Sequence, residues 1–266
     1  MIIDAHVHLG DVAFFRVPDA GMEAMLALMD ALGIDLAISM HGAGLMECFE
    51  EAFRASEAAY ERSGGRLPYC LVYHPLYPSD SLAWIERALG RPGLVGIKIH
   101  PVQHQVFPED PRYEPAWQLA AERGLPIVTH SWALSDYNPA QRFATPEHFA
   151  SCVARFPQVN LMLGHAGGRY EGHLAAVRLA QRYPNVYLDL SGDVYAFGFI
   201  EWLVAQVGAG RILFGSDMDW IDPRTHLGRI LDADITLDEK QLILGENARR
   251  LFKLEGGREC SVWQPS

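Results

Sequence analysis

The sequence predicts an α/β protein folded as a single (β/α)8 barrel, the TIM-barrel fold. Short apolar runs alternate with helical patterns along the 266 residues, and this rhythm is typical of a parallel sheet with crossover helices. Eight such units fit the usual length of a barrel. An open doubly wound sheet is the alternative, but no Gly-x-Gly-x-x-Gly follows the first strand and no P-loop is present. We expect one domain over residues 1–255 and a C-terminal tail over residues 256–266.

The predicted strands are short apolar runs, most of which end in polar residues. The first starts at Ile2-Ile3 and runs into Asp-Ala-His-Val-His-Leu. A run this short fits a buried strand better than a helix. The other strands are predicted at residues 36–40, 69–73, 94–99, 126–130, 160–164, 186–190 and 211–214.

Capping signals delimit the predicted helices. Gly33 and Gly124 follow two of them as C-terminal signals, and Ser79 is a predicted N-cap. Thr145 is an N-cap with proline at the first helical position, and Thr236 opens a capping box. The helices are predicted at residues 22–32, 45–62, 79–89, 113–123, 173–183, 199–207 and 236–254, with another starting after Thr145.

Charge and cysteine content limit the partners. The chain carries 33 acidic and 22 basic residues, a net charge of −11, which argues against nucleic acid or an anionic membrane as the main partner. No apolar run reaches the roughly 18 residues of a membrane span. Its 4 cysteines lie far apart, and the sequence shows no secretory signal. We expect a cytoplasmic protein that acts on a small molecule. The sequence is compatible with a homodimer.

Two histidines on the first strand suggest a metal site. His6 and His8 are two positions apart, so their side chains leave the same face of a strand. A pair of ordinary buried histidines is the alternative, although each would need polar partners in an apolar setting. Because histidine is a common metal ligand, the pair favours a metal site.

Other polar residues end later strands at the same rim of the predicted barrel. Lys98 and His100 end the fourth strand, His130 the fifth, His165 the sixth and Asp217 the eighth. Barrel active sites lie on this C-terminal rim. Three or four His and Asp ligands with an open position describe a catalytic divalent site. We expect one ion, with Zn²⁺ favoured and Mn²⁺, Fe²⁺, Co²⁺ or Ni²⁺ as alternatives.

The rim loops supply candidates for substrate binding. Aromatic residues such as Trp132, together with Arg16 and Arg169, suggest an apolar pocket with an anchor for a carboxylate, against ordinary loop packing as the alternative. Lys98 and His100 complete this set of candidates. The histidines on or beside helices are expected to be solvated, namely His148, His173 and His226.

Four motifs together resemble a known family. They are Asp-x-His-x-His on the first strand, the lone His130 after the fifth, Gly-His-x-Gly-Gly after the sixth and Gly-Ser-Asp on the eighth. This set is similar to the amidohydrolase superfamily, in the branch that includes aminocarboxymuconate-semialdehyde decarboxylase. The resemblance implies a TIM barrel with a divalent metal, His165 as the catalytic histidine, and as ligands His6, His8, His130 and Asp217.

Three functions remain open, and we favour the first. It is a hydrolase of a small amide, ester or lactone, in which a metal-activated water attacks, Asp217 or His165 moves the proton, and Lys98 or an arginine holds the substrate. The alternative is a non-oxidative decarboxylase of an unsaturated or aromatic acid. The third is a ligand-binding barrel without catalysis, which the complete metal set disfavours. Lys98 is expected to be a free ammonium beside one metal; a carboxylated Lys98 bridging two metals is the alternative.

Overall fold

The computed structural model describes residues 1–10 and 21–254. Its sheet is an eight-stranded parallel barrel in which the strands follow one another in chain order. Backbone hydrogen bonds close the barrel, from Ala5 N–H to the Phe214 carbonyl at 2.8 Å and from Asp217 N–H to the His6 carbonyl at 2.9 Å. The predicted fold class is therefore confirmed. The strands are β1 (Ile3–Leu9), β2 (Leu36–His41), β3 (Tyr69–Val72), β4 (Leu94–Ile99), β5 (Ile127–His130), β6 (Leu161–Gly164), β7 (Val186–Asp189) and β8 (Ile212–Leu213).

Helices occupy the connections between strands. None of those in the described ranges combines the length and the apolarity needed to cross a bilayer. Short 3₁₀ turns link several of them, and a π-helical turn spans Leu242–Glu246. The α-helices are α1 (Met22–Leu32), α2 (Phe49–Arg62), α3 (Pro78–Ala88), α4 (Pro101–His104), α5 (Glu114–Arg123), α6 (Ala150–Arg155), α7 (Tyr170–Arg182), α8 (Phe199–Val207), α9 (Pro223–Asp232), α10 (Leu237–Gln241) and α11 (Asn247–Leu251).

Some helix boundaries differ from the predictions for local reasons. The residue before α3 is Tyr77, not Ser79, because Pro78 takes the first helical position. Helix α2 begins at Phe49, four residues later than expected, since a 3₁₀ turn precedes it. Helix α9 was not expected from the sequence, although Asp222 caps it by accepting a hydrogen bond from the Arg224 N–H at 2.9 Å.

An irregularity in β1 decides which side chains enter the barrel. The register of β1 against β2 shifts between Asp4 and Val7. Before the shift, Ile3 and Ala5 belong to the apolar cluster that fills the lower part of the barrel together with α11. After the shift, Val7 belongs to the core between the barrel and the surrounding helices. The shift lets His6 and His8 point into the barrel above that floor.

Candidate metal centre and active site

Three side chains converge at the C-terminal end of the barrel. His6 Nε2 lies 3.4 Å and His8 Nε2 3.3 Å from Asp217 Oδ1. All three residues are buried, and each offers one ligand atom within 4.8 Å of the others. Asp217 Oδ1 has no hydrogen-bond partner in the part of the chain that the structure describes. Two imidazoles and an unsatisfied buried carboxylate oxygen fit a divalent cation.

His6 is oriented from both sides of its ring. Its Nδ1 lies 2.8 Å from Asp189 Oδ2, and Lys98 Nζ lies 3.2 Å from its Nε2. Because a carboxylate only accepts and an ammonium only donates, the proton of His6 sits on Nδ1 and the lone pair on Nε2. That tautomer is the one a metal ligand needs at Nε2.

Lys98 projects into the barrel beside this cluster and is 1% exposed. Burial lowers the pKa of Lys98 to about 8, although the negative charges of Asp217 and Asp189 work in the opposite direction. At neutral pH the side chain therefore remains mainly an ammonium. The expected position of Lys98 next to the metal centre agrees with this geometry.

His165 lies on a strained turn at the end of β6. Its φ is 63° and that of Ala166 is 45°, in the left-handed region that non-glycine residues rarely adopt. The His165 backbone N–H donates to Asp189 Oδ1 at 2.9 Å, which helps hold the turn. The ring Nδ1 lies 2.9 Å from Ser191 Oγ and 3.5 Å from Asp217 Oδ2. Burial lowers the pKa of His165.

His130 lies next to the three-residue cluster but outside it. Its Nδ1 is 3.0 Å from His165 Nε2, and its Nε2 is 2.9 Å from Gln141 Oε1. The ring stacks on His100 with centroids 4.6 Å apart. The structure therefore brings together three of the four expected ligands and joins His130 to the expected catalytic histidine.

The expected substrate-binding residues are not all at one place. Trp132 contacts the His165 ring at 5.3 Å between centroids. Arg169 lies over the Trp132 ring at 4.9 Å and pairs with Asp193 at 2.8 Å, so it already has an acidic partner. His100 is half-buried and stacks on His130, whereas Arg16 lies outside the described residues.

Two histidines predicted to be solvated are in fact buried. His173 is 6% and His226 is 0% exposed. His173 Nδ1–H donates to the Ala166 carbonyl at 2.7 Å, and His226 Nε2–H donates to the Gly192 carbonyl at 2.8 Å. The amphipathic pattern of a helix does not reveal such bonds, because their acceptors lie in loops outside that helix.

A family model described as amidohydrolase matches residues 3–254 of the chain. The chain belongs to the amidohydrolase family. It is thus an enzyme of a superfamily built on this barrel, and the resemblance inferred from the four motifs is confirmed.

Known proteins similar to this amidohydrolase include several decarboxylases. Gamma-resorcylate decarboxylase of Rhizobium radiobacter is 25% identical over 291 residues, which cover 88% of each chain. A solved structure of 2,6-dihydroxybenzoate decarboxylase from Rhizobium superposes with a TM-score of 0.76 at 20% identity, covering 96% of this chain and 98% of the other. A manganese-bound dihydroxybenzoic acid decarboxylase from Polaromonas sp. JS666 gives a TM-score of 0.74 at 18% identity, covering 96% and 98%. The structural likenesses establish the fold.

Family membership and the cluster of His6, His8 and Asp217 together support a divalent metal in this amidohydrolase. Ser191 and Gln141 contact histidines of the site but were not expected there from the sequence. Ser191 follows β7 at the same rim as the other site residues, so its position was a usable signal. Gln141 lies in a 3₁₀ turn of a long loop, and nothing in the sequence marks it.

Proposed function

We propose that this amidohydrolase is a metal-dependent, non-oxidative decarboxylase of an aromatic carboxylic acid. The observation that carries the proposal is the 25% identity to gamma-resorcylate decarboxylase over 88% of both chains. The hydrolase favoured by the sequence analysis has support at the level of the superfamily alone. The decarboxylase, the alternative in that analysis, therefore becomes the main proposal.

In this proposal His6, His8 and Asp217 would hold the metal. His130, which pairs with His165 and Gln141 in this structure, would have to leave one of these partners to be the fourth ligand expected from the sequence. We keep Zn²⁺ as the favoured ion, because imidazole and carboxylate ligands without a thiolate suit it, as they suit Mn²⁺ and its neighbours. When bound, the ion would supply a Lewis acid for oxygen atoms of the substrate.

The charges of the site suit an anionic substrate. Lys98 offers an ammonium in a buried site where water screens little, so it attracts a carboxylate strongly. Trp132 packs edge-on against His165 and stacks on His130 with centroids 5.9 Å apart, so it adds apolar surface to the site. Both groups lie at the rim where barrel enzymes place their chemistry.

His165 is the proposed proton donor. In a non-oxidative decarboxylation the C–C bond to the carboxylate breaks, CO2 leaves, and a proton takes its place on the ring carbon. Burial lowers the pKa of His165, which makes its protonated form a stronger acid. Ser191 and Asp217 fix the ring through Nδ1, so that the proton is released from Nε2, on the side facing His130.

The test follows two products of the reaction at once. Metal-loaded protein is incubated in D2O with 2,6-dihydroxybenzoate and other hydroxybenzoates, and CO2 and ring deuterium are measured. We expect equal amounts of CO2 and of deuterium at the carbon that lost the carboxylate. An Asp217→Ala variant is the negative control. Turnover of amides, esters or lactones without CO2 from any acid would instead establish the hydrolase and refute this proposal.

A further inference from the structure

A cavity outside the metal cluster is lined by residues of α7 and α8 and of the loops that lead into them. Its volume is about 350 Å³, enough for a molecule with one aromatic ring. It is formed where the turn after β6 enters α7 and where the loop after β7 enters α8, and no residue of the metal cluster lines it. The residues lining it are Gly168, Arg169, Tyr170, His173, Val194, Tyr195, Ala196, Phe197, Gly198, Phe199 and Trp202.

The cavity has an aromatic wall that is left open to solvent. Tyr170, Tyr195 and Phe197 are 72%, 52% and 106% exposed, and Phe199 and Trp202 complete the wall. Large apolar side chains grouped at the mouth of a cavity mark a binding surface rather than ordinary loop packing. Flat aromatic walls are suited to an aromatic ligand.

One polar atom in this cavity has an unused hydrogen bond. His173 donates through Nδ1–H to the Ala166 carbonyl at 2.7 Å, so its Nε2 carries a lone pair. Within residues 1–10 and 21–254, no group forms a hydrogen bond with Nε2. The residue as a whole is only 6% exposed. Nε2 faces the cavity, and a hydroxyl group of a ligand can donate to it in place of water.

The charge of the cavity selects against an anion. Arg169 is the charged residue of its lining, and Asp193 pairs with it at 2.8 Å. Arg229 lies over the Tyr195 ring at 5.5 Å but bonds backbone carbonyls and does not line the cavity. Burial lowers the pKa of His173, which keeps the ring neutral. A carboxylate would therefore gain no unpaired cation from the lining in return for the hydration it loses. A neutral hydroxylated ring meets no such cost.

We propose that this cavity is a second ligand site, which binds a small neutral phenol with its hydroxyl on His173 Nε2. The proposal depends on the lining residues and not on the reaction assigned to the metal centre. A phenol is also what remains when a hydroxybenzoic acid loses its carboxylate, so a decarboxylase would itself generate ligands of this class.

The test measures binding of 4-fluorophenol to the metal-loaded full chain by ¹⁹F NMR. His173→Asn keeps an N–H where Nδ1 donates to Ala166 but removes the Nε2 acceptor. We expect this change to weaken binding by about fivefold, the effect of one hydrogen bond. Phe197→Ala, at a fully exposed position, should also weaken binding. Tyr137→Ala is the matched control, because Tyr137 is an exposed aromatic residue outside the cavity, and it should bind as the wild type does.

Two further measurements distinguish phenol binding in this cavity from phenol binding at the metal centre. 4-Fluorobenzoate should bind the cavity at least about tenfold more weakly than the phenol, since an unpaired buried charge costs more than a lost hydrogen bond. Asp217→Asn should leave phenol binding at the cavity intact. Binding lost in Asp217→Asn but unchanged in His173→Asn and Phe197→Ala would place the phenol at the metal centre alone and overturn the proposal. A dimer that Phe197→Ala dissociates, without phenol binding, would also overturn it.

Discussion

Asp189 and His6 share a buried hydrogen bond behind the metal cluster, with Oδ2 and Nδ1 2.8 Å apart. Burial on its own raises the pKa of Asp189, but its electrostatic attraction to His6 and the hydrogen bond outweigh burial and lower it. Asp189 therefore stays ionised and keeps the His6 proton on Nδ1. Its other oxygen accepts the backbone N–H of His165, so one carboxylate positions both a ligand and the proposed acid.

Replacing Asp189 with asparagine should weaken metal binding. The amide lacks the charge that fixes the His6 tautomer, and loss of such a partner typically reduces metal affinity by about 10–100-fold. The affinity is measured by competition with a chromophoric chelator. Asp193→Asn is the matched control, because Asp193 is exposed and pairs with Arg169 outside the cluster. Wild-type affinity in Asp189→Asn would contradict the role assigned here.

We predict one metal ion per chain, with Lys98 unmodified. Within residues 1–10 and 21–254, His6, His8 and Asp217 are the one group of three or more His, Cys, Asp or Glu residues with ligand atoms this close. Lys98 Nζ lies 3.2 Å from His6 Nε2, at the edge of this group. Elemental analysis of the purified protein should give a ratio near one. Two ions per chain, or a carboxylated Lys98 in a crystal structure, would show the bridged arrangement instead.

A variant of His165 should separate catalysis from metal binding. His165→Ala removes the proposed proton donor and leaves the cluster of His6, His8 and Asp217 in place. We expect full metal content with turnover reduced by about 10²–10⁴-fold. His148→Ala is the control, since His148 pairs with Glu109 on the surface. If His165→Ala loses its metal, His165 is a ligand, and the proton donor assigned here is wrong.

Two helical glycines offer a direct test of how the turn bearing His165 is held. A Cβ added to Gly172 in α7 would overlap the Gly167 carbonyl oxygen, whereas a Cβ on Gly228 in α9 meets nothing within 4 Å. Gly172→Ala should therefore destabilise the fold by at least about 2 kcal/mol. Gly228→Ala should stabilise it by about 0.5–1 kcal/mol, because alanine favours a helix. Urea unfolding measures both, and equal effects would refute the close packing.

The fold and the site residues that depend on local sequence patterns could be predicted. The alternation of strands and helices identified the barrel, and the polar residues ending its strands placed Lys98, His165 and Asp217 at one rim. What the sequence did not reveal depends on contacts between separate segments. Gln141 bonds to His130 from a loop without a motif, and His173 donates to the Ala166 carbonyl, which lies outside its helix. Neither hydrogen bond can be inferred from the residue pattern of one segment alone.

A buried histidine outside the site should make the protein sensitive to acid. Burial lowers the pKa of His104 to about 2, with a smaller effect from His74. Its Nδ1 is paired with the Tyr113 hydroxyl at 2.9 Å, and its ring packs against His74 with centroids 4.0 Å apart. In the unfolded chain the pKa of His104 returns to 6.5. Below pH 6.5 the unfolded state therefore binds a proton that the folded state does not bind, and stability falls as the pH falls.

His104→Asn tests this contribution, because the amide N–H can replace Nδ1 opposite Tyr113 but does not titrate. Above pH 7.5 the difference in free energy of unfolding between the wild type and this variant should be constant. Between pH 6 and pH 5 the wild type should lose up to about 1.4 kcal/mol per pH unit relative to the variant, the slope of one proton. Urea unfolding from pH 4.5 to pH 8 provides the measurement. Parallel curves for the two proteins across that range would mean that His104 takes up its proton in the folded state as readily as in the unfolded one.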